Sequence, residues 1–168
     1  MVEIIGRIGG SLIGYSLKCE VESKSVTGRL GGVWAGGSLN LFYDRGSGTL
    51  RGRIGGTLFG KDVWVRLTDN KAEGRFGSPL VGKDLVLEWS ENRERITGRC
   101  GGRVLGFDCT LESRGNGLLG RVGGGILGMD VNVSYTPGVL PLLAAVLVAM
   151  TYYYMKTVQR SYAAGGGR

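Results

Sequence analysis

The chain has 168 residues, 42% of them apolar, which is enough for one domain of ordinary size with a modest core. Its 33 glycines lack the three-residue period of collagen and recur at long, fixed intervals, which argues against low-complexity disorder. The net charge is +7, and there is no histidine, so the commonest general base and metal ligand is absent.

A sixfold repeat fills residues 4–135. Each unit opens with a Gly-Arg pair, and the pairs follow one another at steps of 22, 24, 22, 24 and 22 residues. Two further glycines follow at fixed offsets, as Gly55 and Gly60 do after Gly52, so we expect glycine-dependent turns at the same places in every unit. Self-similarity of this length indicates a repeat architecture.

Each unit predicts β-structure. Apolar residues alternate with polar ones after the last glycine, as in Val63, Val65 and Leu67, and a shorter alternation straddles the Gly-Arg pair. A period of two with one polar face is typical of a half-buried strand. A helix is excluded because each of the three or four glycines per unit would cost about 1 kcal/mol relative to Ala. Residues 1–136 are therefore predicted to form an all-β repeat domain of six units of 22–24 residues.

Three architectures can hold such units. A right-handed β-solenoid with one unit per coil is favoured, because it places equivalent residues above one another. A β-prism or trefoil of three 46-residue blocks and an antiparallel meander of six hairpins, open or closed, are the alternatives. With its glycine-punctuated short coils, the solenoid resembles in general layout the bactofilins, which are cytoplasmic β-solenoid polymers that some bacteria tie to membranes. No functional residue is carried over from that resemblance.

The first strand is predicted to begin near Val2 or Glu3, with no capping element ahead of it. Repeat arrays normally need atypical terminal units that cover the core and the open strand edge. An uncapped first unit therefore predicts self-association by edge-to-edge strand pairing.

The repeat stops at Thr136-Pro137-Gly138, and an uncharged apolar segment follows in residues 139–155. As a helix its 17 residues would rise about 25 Å, the short end of what a bilayer requires. Residues 137–160 are therefore predicted to be a C-terminal transmembrane helix, and residues 161–168 a flexible tail. The alternative is an apolar helix lying in a groove of the domain or in an oligomer seam.

The flank of this segment is typical of a membrane interface, where aromatic rings lie at headgroup depth with cations just beyond. The predicted interface residues are Tyr152, Tyr153, Tyr154, Lys156 and Arg160. No secretory signal is visible at the N-terminus. We therefore expect a single-pass, tail-anchored membrane protein whose repeat domain lies in the cytoplasm.

One arginine per unit is the only polar feature present in all six. These residues, which we call the arginine row, are Arg7, Arg29, Arg53, Arg75, Arg99 and Arg121. Like charges in a line repel unless something negative lies between or over them. Each arginine could pair with Asp or Glu or with turn carbonyls, or the row could bind anionic lipid headgroups or an acidic protein. Nucleic acid is the least expected partner, because the charge is mild and no aromatic platform accompanies the row.

No catalytic constellation emerges from the remaining polar residues. Four units carry an aspartate two residues after a turn glycine, where Asp commonly caps turns: Asp62, Asp84, Asp108 and Asp130. The three cysteines replace apolar residues of the strand pattern and are expected to be buried: Cys19, Cys100 and Cys109. We predict no catalytic residue, no cofactor, no metal site and no enzyme activity.

The sequence as a whole predicts a membrane-anchored, non-enzymatic structural or scaffold protein that acts by self-assembly or docking at a membrane surface. The expected partners are the lipid bilayer and either further copies of the chain or other membrane-protein subunits. Two alternatives stay open. One is an accessory single-span subunit of a larger membrane complex, and the other is a ligand-binding, lectin-like module.

Overall fold

The computed structural model describes residues 1–10, 12–32, 35–124 and 126–166. Within these ranges it contains twelve strands and one α-helix. The strands are β1 (Glu3–Gly9), β2 (Gly14–Val21), β3 (Ser25–Gly31), β4 (Gly36–Asp44), β5 (Thr49–Ile54), β6 (Lys61–Leu67), β7 (Lys71–Phe76), β8 (Lys83–Trp89), β9 (Arg95–Cys100), β10 (Phe107–Arg114), β11 (Gly117–Val122) and β12 (Met129–Tyr135). The helix α1 spans Pro141–Gly165.

The strands form a closed antiparallel barrel. Each pairs with its neighbours in sequence, and β1 closes the sheet against β12, with Ile4 opposite Tyr135 and Ile8 opposite Val131. The prediction of an all-β domain is confirmed. The favoured solenoid is wrong, because successive strands lie side by side around a barrel instead of stacking as coils. The β-prism or trefoil of three blocks is wrong because all twelve strands belong to one closed sheet. The closed hairpin meander is the alternative that matches, and the resemblance to the bactofilins falls with the solenoid.

The first strand has no free edge. It pairs with β2 on one side, from Glu3 opposite Glu20 to Gly9 opposite Gly14, and with β12 on the other. Closure of a barrel removes both edges of the sheet. The expectation that an open first strand recruits a second copy is therefore wrong for this fold.

Alternation along each strand separates a buried inner face from a polar outer one. In β6 the side chains of Val63, Val65 and Leu67 are buried, whereas Asp62 and Arg66 face outward. The same pattern recurs around the barrel, so one register places every apolar set inside. The outer wall is mostly charged or polar and suits contact with water.

The helix α1 fills the barrel. Every residue from Leu142 to Met155 is buried, and the helix contacts β2, β7 and β11, which lie on different sides of the wall. A helix that is apolar on all sides is typical of a fully buried one. Within this segment the hydroxyl of Thr151 donates to the Leu147 carbonyl oxygen at 2.7 Å, which satisfies the buried polar side chain. Helix and barrel wall share one hydrophobic core.

This position changes the interpretation of the apolar C-terminal segment. The helix is long and apolar enough to cross a membrane, but 78% of its most apolar stretch is buried inside the barrel. Core helices of soluble proteins share this length and apolarity, so the membrane span stays a prediction. The helix also continues through residues 161–165, which were expected to be a flexible tail, while residues 167 and 168 lie outside the described ranges.

Removal of the helix tests its role in the core. Deletion of residues 141–168 is expected to prevent the barrel from folding, because the inner side chains would lose their packing partner and surround a cavity as wide as a helix. Circular dichroism and thermal unfolding would compare this truncation with the full chain. Deletion of residues 164–168 is the control and should unfold like the full chain. A barrel that folds with unchanged stability without its helix would contradict the assignment of α1 to the core.

A second test concerns close contact between strands. A Cβ atom on Gly98 would lie 2.8 Å from Leu87 Cα and closer still to the Val86 carbonyl oxygen, both in the backbone of β8. Gly98→Ala would force β8 and β9 apart and is expected to lower the free energy of unfolding by about 2 kcal/mol. At Gly102 an added Cβ meets nothing within 4 Å. Urea unfolding of Gly102→Ala should therefore match the unmodified chain, and equal effects of the two variants would refute this packing.

Candidate functional site

The two ends of the barrel have opposite chemistry. The turns that follow β2, β4, β6, β8 and β10 contain only polar residues and glycine, as in Glu22-Ser23-Lys24. The turns that follow the odd-numbered strands all lie at the other end, because neighbouring strands are antiparallel. We call them the rim loops: residues 10–13, 32–35, 55–60, 77–82, 101–106 and 123–128.

The rim loops carry large apolar side chains in open solvent. In five of them two neighbouring apolar residues at the tip are both described, and these side chains are 68–97% exposed. They are Leu12, Ile13, Leu58, Phe59, Leu80, Val81, Val104, Leu105, Ile126 and Leu127, which we call the apolar rim. In the loop after β3 the corresponding Val33 and Trp34 lie outside the described residues. Single exposed apolar side chains are common, but ten of them at one end of a barrel indicate an interaction surface.

Glycines around each pair create this exposure. Gly77 has φ of +89°, in the left-handed region that glycine adopts without strain. Gly82 closes the same loop by donating its N–H to the Ser78 carbonyl oxygen at 2.8 Å, and a Cβ on it would lie 2.5 Å from that oxygen. The chain therefore reverses within six residues, and the apolar pair between the glycines, Leu80 and Val81, cannot turn back onto the core.

The arginine row lies on the outer wall beneath these loops. Arg75 donates to Asp84 Oδ1 at 2.6 Å and to the carbonyl oxygens of Ser78, Pro79 and Gly82 at 2.9–3.3 Å. Comparable bonds join four other arginines to their own loops, in the pairs Arg7 with Gly10, Arg53 with Gly60, Arg99 with Gly102 and Arg121 with Gly128. Arg29 lies on β3 opposite Ser38. These contacts match the interpretation in which turn carbonyls and aspartates neutralise the charges of the arginine row.

Four aspartates take part in the same groups of hydrogen bonds. We call each group an arginine clamp: one arginine of the row, the aspartate opposite it and carbonyl oxygens of the adjoining rim loop. Asp62, Asp84, Asp108 and Asp130 each accept a hydrogen bond, at 2.6–2.9 Å, from the arginine opposite them on the preceding strand. These bonds match the alternative in which Asp or Glu pairs with the arginine row, and in this position the aspartates orient the arginines that bond the turns. Anion binding by the arginine row stays a prediction. The guanidinium groups described above already donate hydrogen bonds to aspartates and loop carbonyls.

Arg75→Lys tests the clamp. An ammonium group cannot reproduce the planar fork that bonds Asp84 and three carbonyl oxygens together. Amide hydrogen exchange in residues 78–82 should therefore accelerate severalfold, while global stability falls by less than about 1 kcal/mol because the ion pair is solvent-exposed. Arg66→Lys, on the exposed outer face of β6, is the matched control. Unchanged exchange in the loop would show that Arg75 does not hold it.

The predicted membrane-interface residues occupy the mouth of the barrel beside the rim loops. All three tyrosines of the segment are buried there: Tyr152, Tyr153 and Tyr154. The ring centroids of Tyr153 and Phe76 are 5.4 Å apart. The tyrosines therefore do not form an exposed aromatic belt. Lys156 and Arg160 follow them on α1, half-buried and exposed respectively, at the same end as the apolar rim.

The three cysteines lie in the core. Cys19, Cys100 and Cys109 are free and buried, and burial raises the pKa of Cys19 and of Cys100 to about 12, so neither is a thiolate nucleophile at neutral pH. Within the described ranges no group of three His, Cys, Asp or Glu residues could hold a metal ion. At the polar end a cleft of about 610 Å³ holds Glu112, which is within ion-pair distance of Arg95 and Arg114.

The sequence contained a signal for the apolar rim that our interpretation did not use. Every unit has two adjacent apolar residues between its turn glycines, as in Gly-Gly-Thr-Leu-Phe-Gly at residues 55–60. Large apolar residues at the tip of a glycine-bounded turn have no core to enter. That pattern predicts exposure before any coordinates are known.

Comparisons with known proteins identify no relative. No family model, no curated protein and no solved structure matches this chain. The basis for a functional proposal is therefore the geometry of the barrel and of its two ends.

Proposed function

We propose that this protein is a non-enzymatic docking or scaffold protein that attaches to a membrane surface through the apolar rim. The observation that carries the proposal is the concentration of ten exposed apolar side chains at one end of a barrel whose other end is polar. A molecule with this polarity orients at a water–lipid boundary, with the rim in the lipid and the polar end in water.

The energetics support attachment without a spanning segment. Full burial of one Leu, Ile, Val or Phe side chain contributes about 1.5–3 kcal/mol, so the insertion of two or three loops supplies several kcal/mol. The cost of ordering is small, because arginine clamps and glycine turns already hold the loops in one conformation. Binding strength at an interface scales with the apolar area that is inserted.

This arrangement leaves α1 in the barrel. Anchoring by the helix itself would require the lumen to lose the residues from Leu142 to Met155, which pack against the inner wall. Attachment by the rim keeps that packing and still places the basic end of α1 near the lipid. We propose that the barrel lies on the cytoplasmic side, where three buried free thiols are compatible with a reducing environment.

Vesicle flotation tests the proposal. The full chain should float with phosphatidylcholine vesicles, and replacing four rim residues in two loops by serine, at Leu58, Phe59, Ile126 and Leu127, should weaken partitioning roughly tenfold or more. The matched control replaces four exposed apolar residues of the barrel wall by serine: Phe42, Trp64, Val86 and Leu119. This control should float like the unmodified chain.

Two outcomes would reject membrane docking through the rim. Equal flotation of the rim variant and the unmodified chain would show that the rim is not the attachment surface. Failure of the unmodified chain to float, together with rim-dependent dimers in analytical ultracentrifugation, would show that the rim binds another copy of the chain. If the chain is instead an accessory subunit, it should be a monomer that does not bind vesicles and that associates through the rim only with other membrane proteins.

A further inference from the structure

A cleft of about 430 Å³ opens at the rim end, between α1 and the rim loops that follow β9 and β11. Its volume lies in the range of about 300–1,000 Å³ that is usual for ligand sites. Phe107 of β10 and Tyr152 of α1 line it, and their rings are in edge contact at a centroid distance of 4.7 Å. Leu105 and Leu127 of the apolar rim line it as well.

Three cations line the same cleft. Lys83 at the start of β8 donates its ammonium hydrogen to the Leu105 carbonyl oxygen, and Lys156 lies over the Tyr152 ring with Nζ 5.4 Å from the centroid. Arg160 is one helical turn beyond Lys156 on α1. In the described part of the chain the cleft lining includes no Asp or Glu, and none of the three cations forms an ion pair.

This grouping has an electrostatic cost that an anion would relieve. Burial, and after it the positive charges of Arg160 and Arg99, lower the pKa of Lys83, although the nearby Cys100 acts in the opposite direction. Like charges that lie close together repel, and an anion between them stabilises the charged form of each. Phosphate oxygens accept hydrogen bonds from both ammonium and guanidinium groups.

We propose that this cleft binds the phosphate-bearing headgroup of an anionic phospholipid. A cleft lined by both cations and leucines matches a molecule with a charged head and an apolar remainder. The mouth lies among the rim residues that meet the membrane, so a lipid reaches the cleft from the bilayer without leaving it. The inference rests on the proposed function, because a lipid enters from a bilayer only if the rim docks there.

The test compares vesicles of phosphatidylcholine with and without phosphatidylserine. The unmodified chain should bind the phosphatidylserine vesicles roughly tenfold to a hundredfold more tightly, since each cation near an anionic surface contributes about 1 kcal/mol. A triple variant should lose this gain, with unchanged binding to phosphatidylcholine vesicles. It combines Lys83→Gln, Lys156→Gln and Arg160→Gln. Lys156→Gln with Arg160→Gln, both near the exposed end of α1, gives a smaller loss in case the triple variant folds poorly.

A charge-matched control separates a site from the general field of the protein. Lys18→Gln, Lys24→Gln and Arg66→Gln remove three exposed positive charges outside the cleft and should retain most of the gain. An equal loss in the control and the cleft variant would overturn the proposal. If the unmodified chain binds both vesicle types equally, headgroup recognition fails while docking stands, and if it binds neither type, docking itself fails.

A soluble probe distinguishes a lipid from a free anion. Dihexanoylphosphatidylserine below its micelle concentration should shift the amide resonances of Lys83, Lys156 and Arg160 in NMR spectra of the full chain. Inorganic phosphate at the same concentration should shift them much less, because it cannot contact Leu105 and Leu127. Equal shifts with phosphate alone would assign the cleft to a free anion and overturn the choice of a lipid.

Discussion

The packing of α1 against the inside of the barrel is the contact on which the rest of the structure depends. Twelve strands enclose more space than their own side chains fill, and the buried residues from Leu142 to Met155 occupy it. Interiors are stable only when they are close-packed. The wall gives the apolar helix a dry environment, and the helix gives the wall a core, so neither has an alternative partner within the fold.

Closure of the barrel decides where interaction can occur. With β1 paired to β12, no strand edge is left for another chain, and the outer wall is mostly charged or polar. Strand pairing with another chain is therefore excluded, and the two ends are the parts of the barrel that differ most in chemistry. One of them presents polar turns such as Glu22-Ser23-Lys24, and the other presents apolar pairs that glycines push outward and that arginines hold in place. The hydrogen bonds from arginines to these loops favour a preformed rim.

The rim end combines two properties that a lipid also combines. Its tips are apolar, and the cleft beneath two of them is lined by Lys83, Lys156 and Arg160. Lys83 belongs to β8, whereas Lys156 and Arg160 belong to α1. These two elements meet here because the helix runs through the barrel and emerges at this end. Five arginines of the row, in contrast, donate hydrogen bonds to aspartates or loop carbonyls. The cations of the mouth form no ion pair among the described residues, unlike the arginines that pair with aspartates on the wall.

The sequence by itself determined the local features: the strands, from alternation such as Val63-Val65-Leu67, the turns, from glycines such as Gly55 and Gly60, and a C-terminal helix without charge from residue 139 to 155. These depend on neighbours along the chain. Only the tertiary structure decided between solenoid and barrel, because the alternation that buries one face is the same in both. It also decided the fate of the helix, because an apolar segment is satisfied equally by lipid or by a lumen, and the presence of a wall that surrounds it is a property of all twelve strands together.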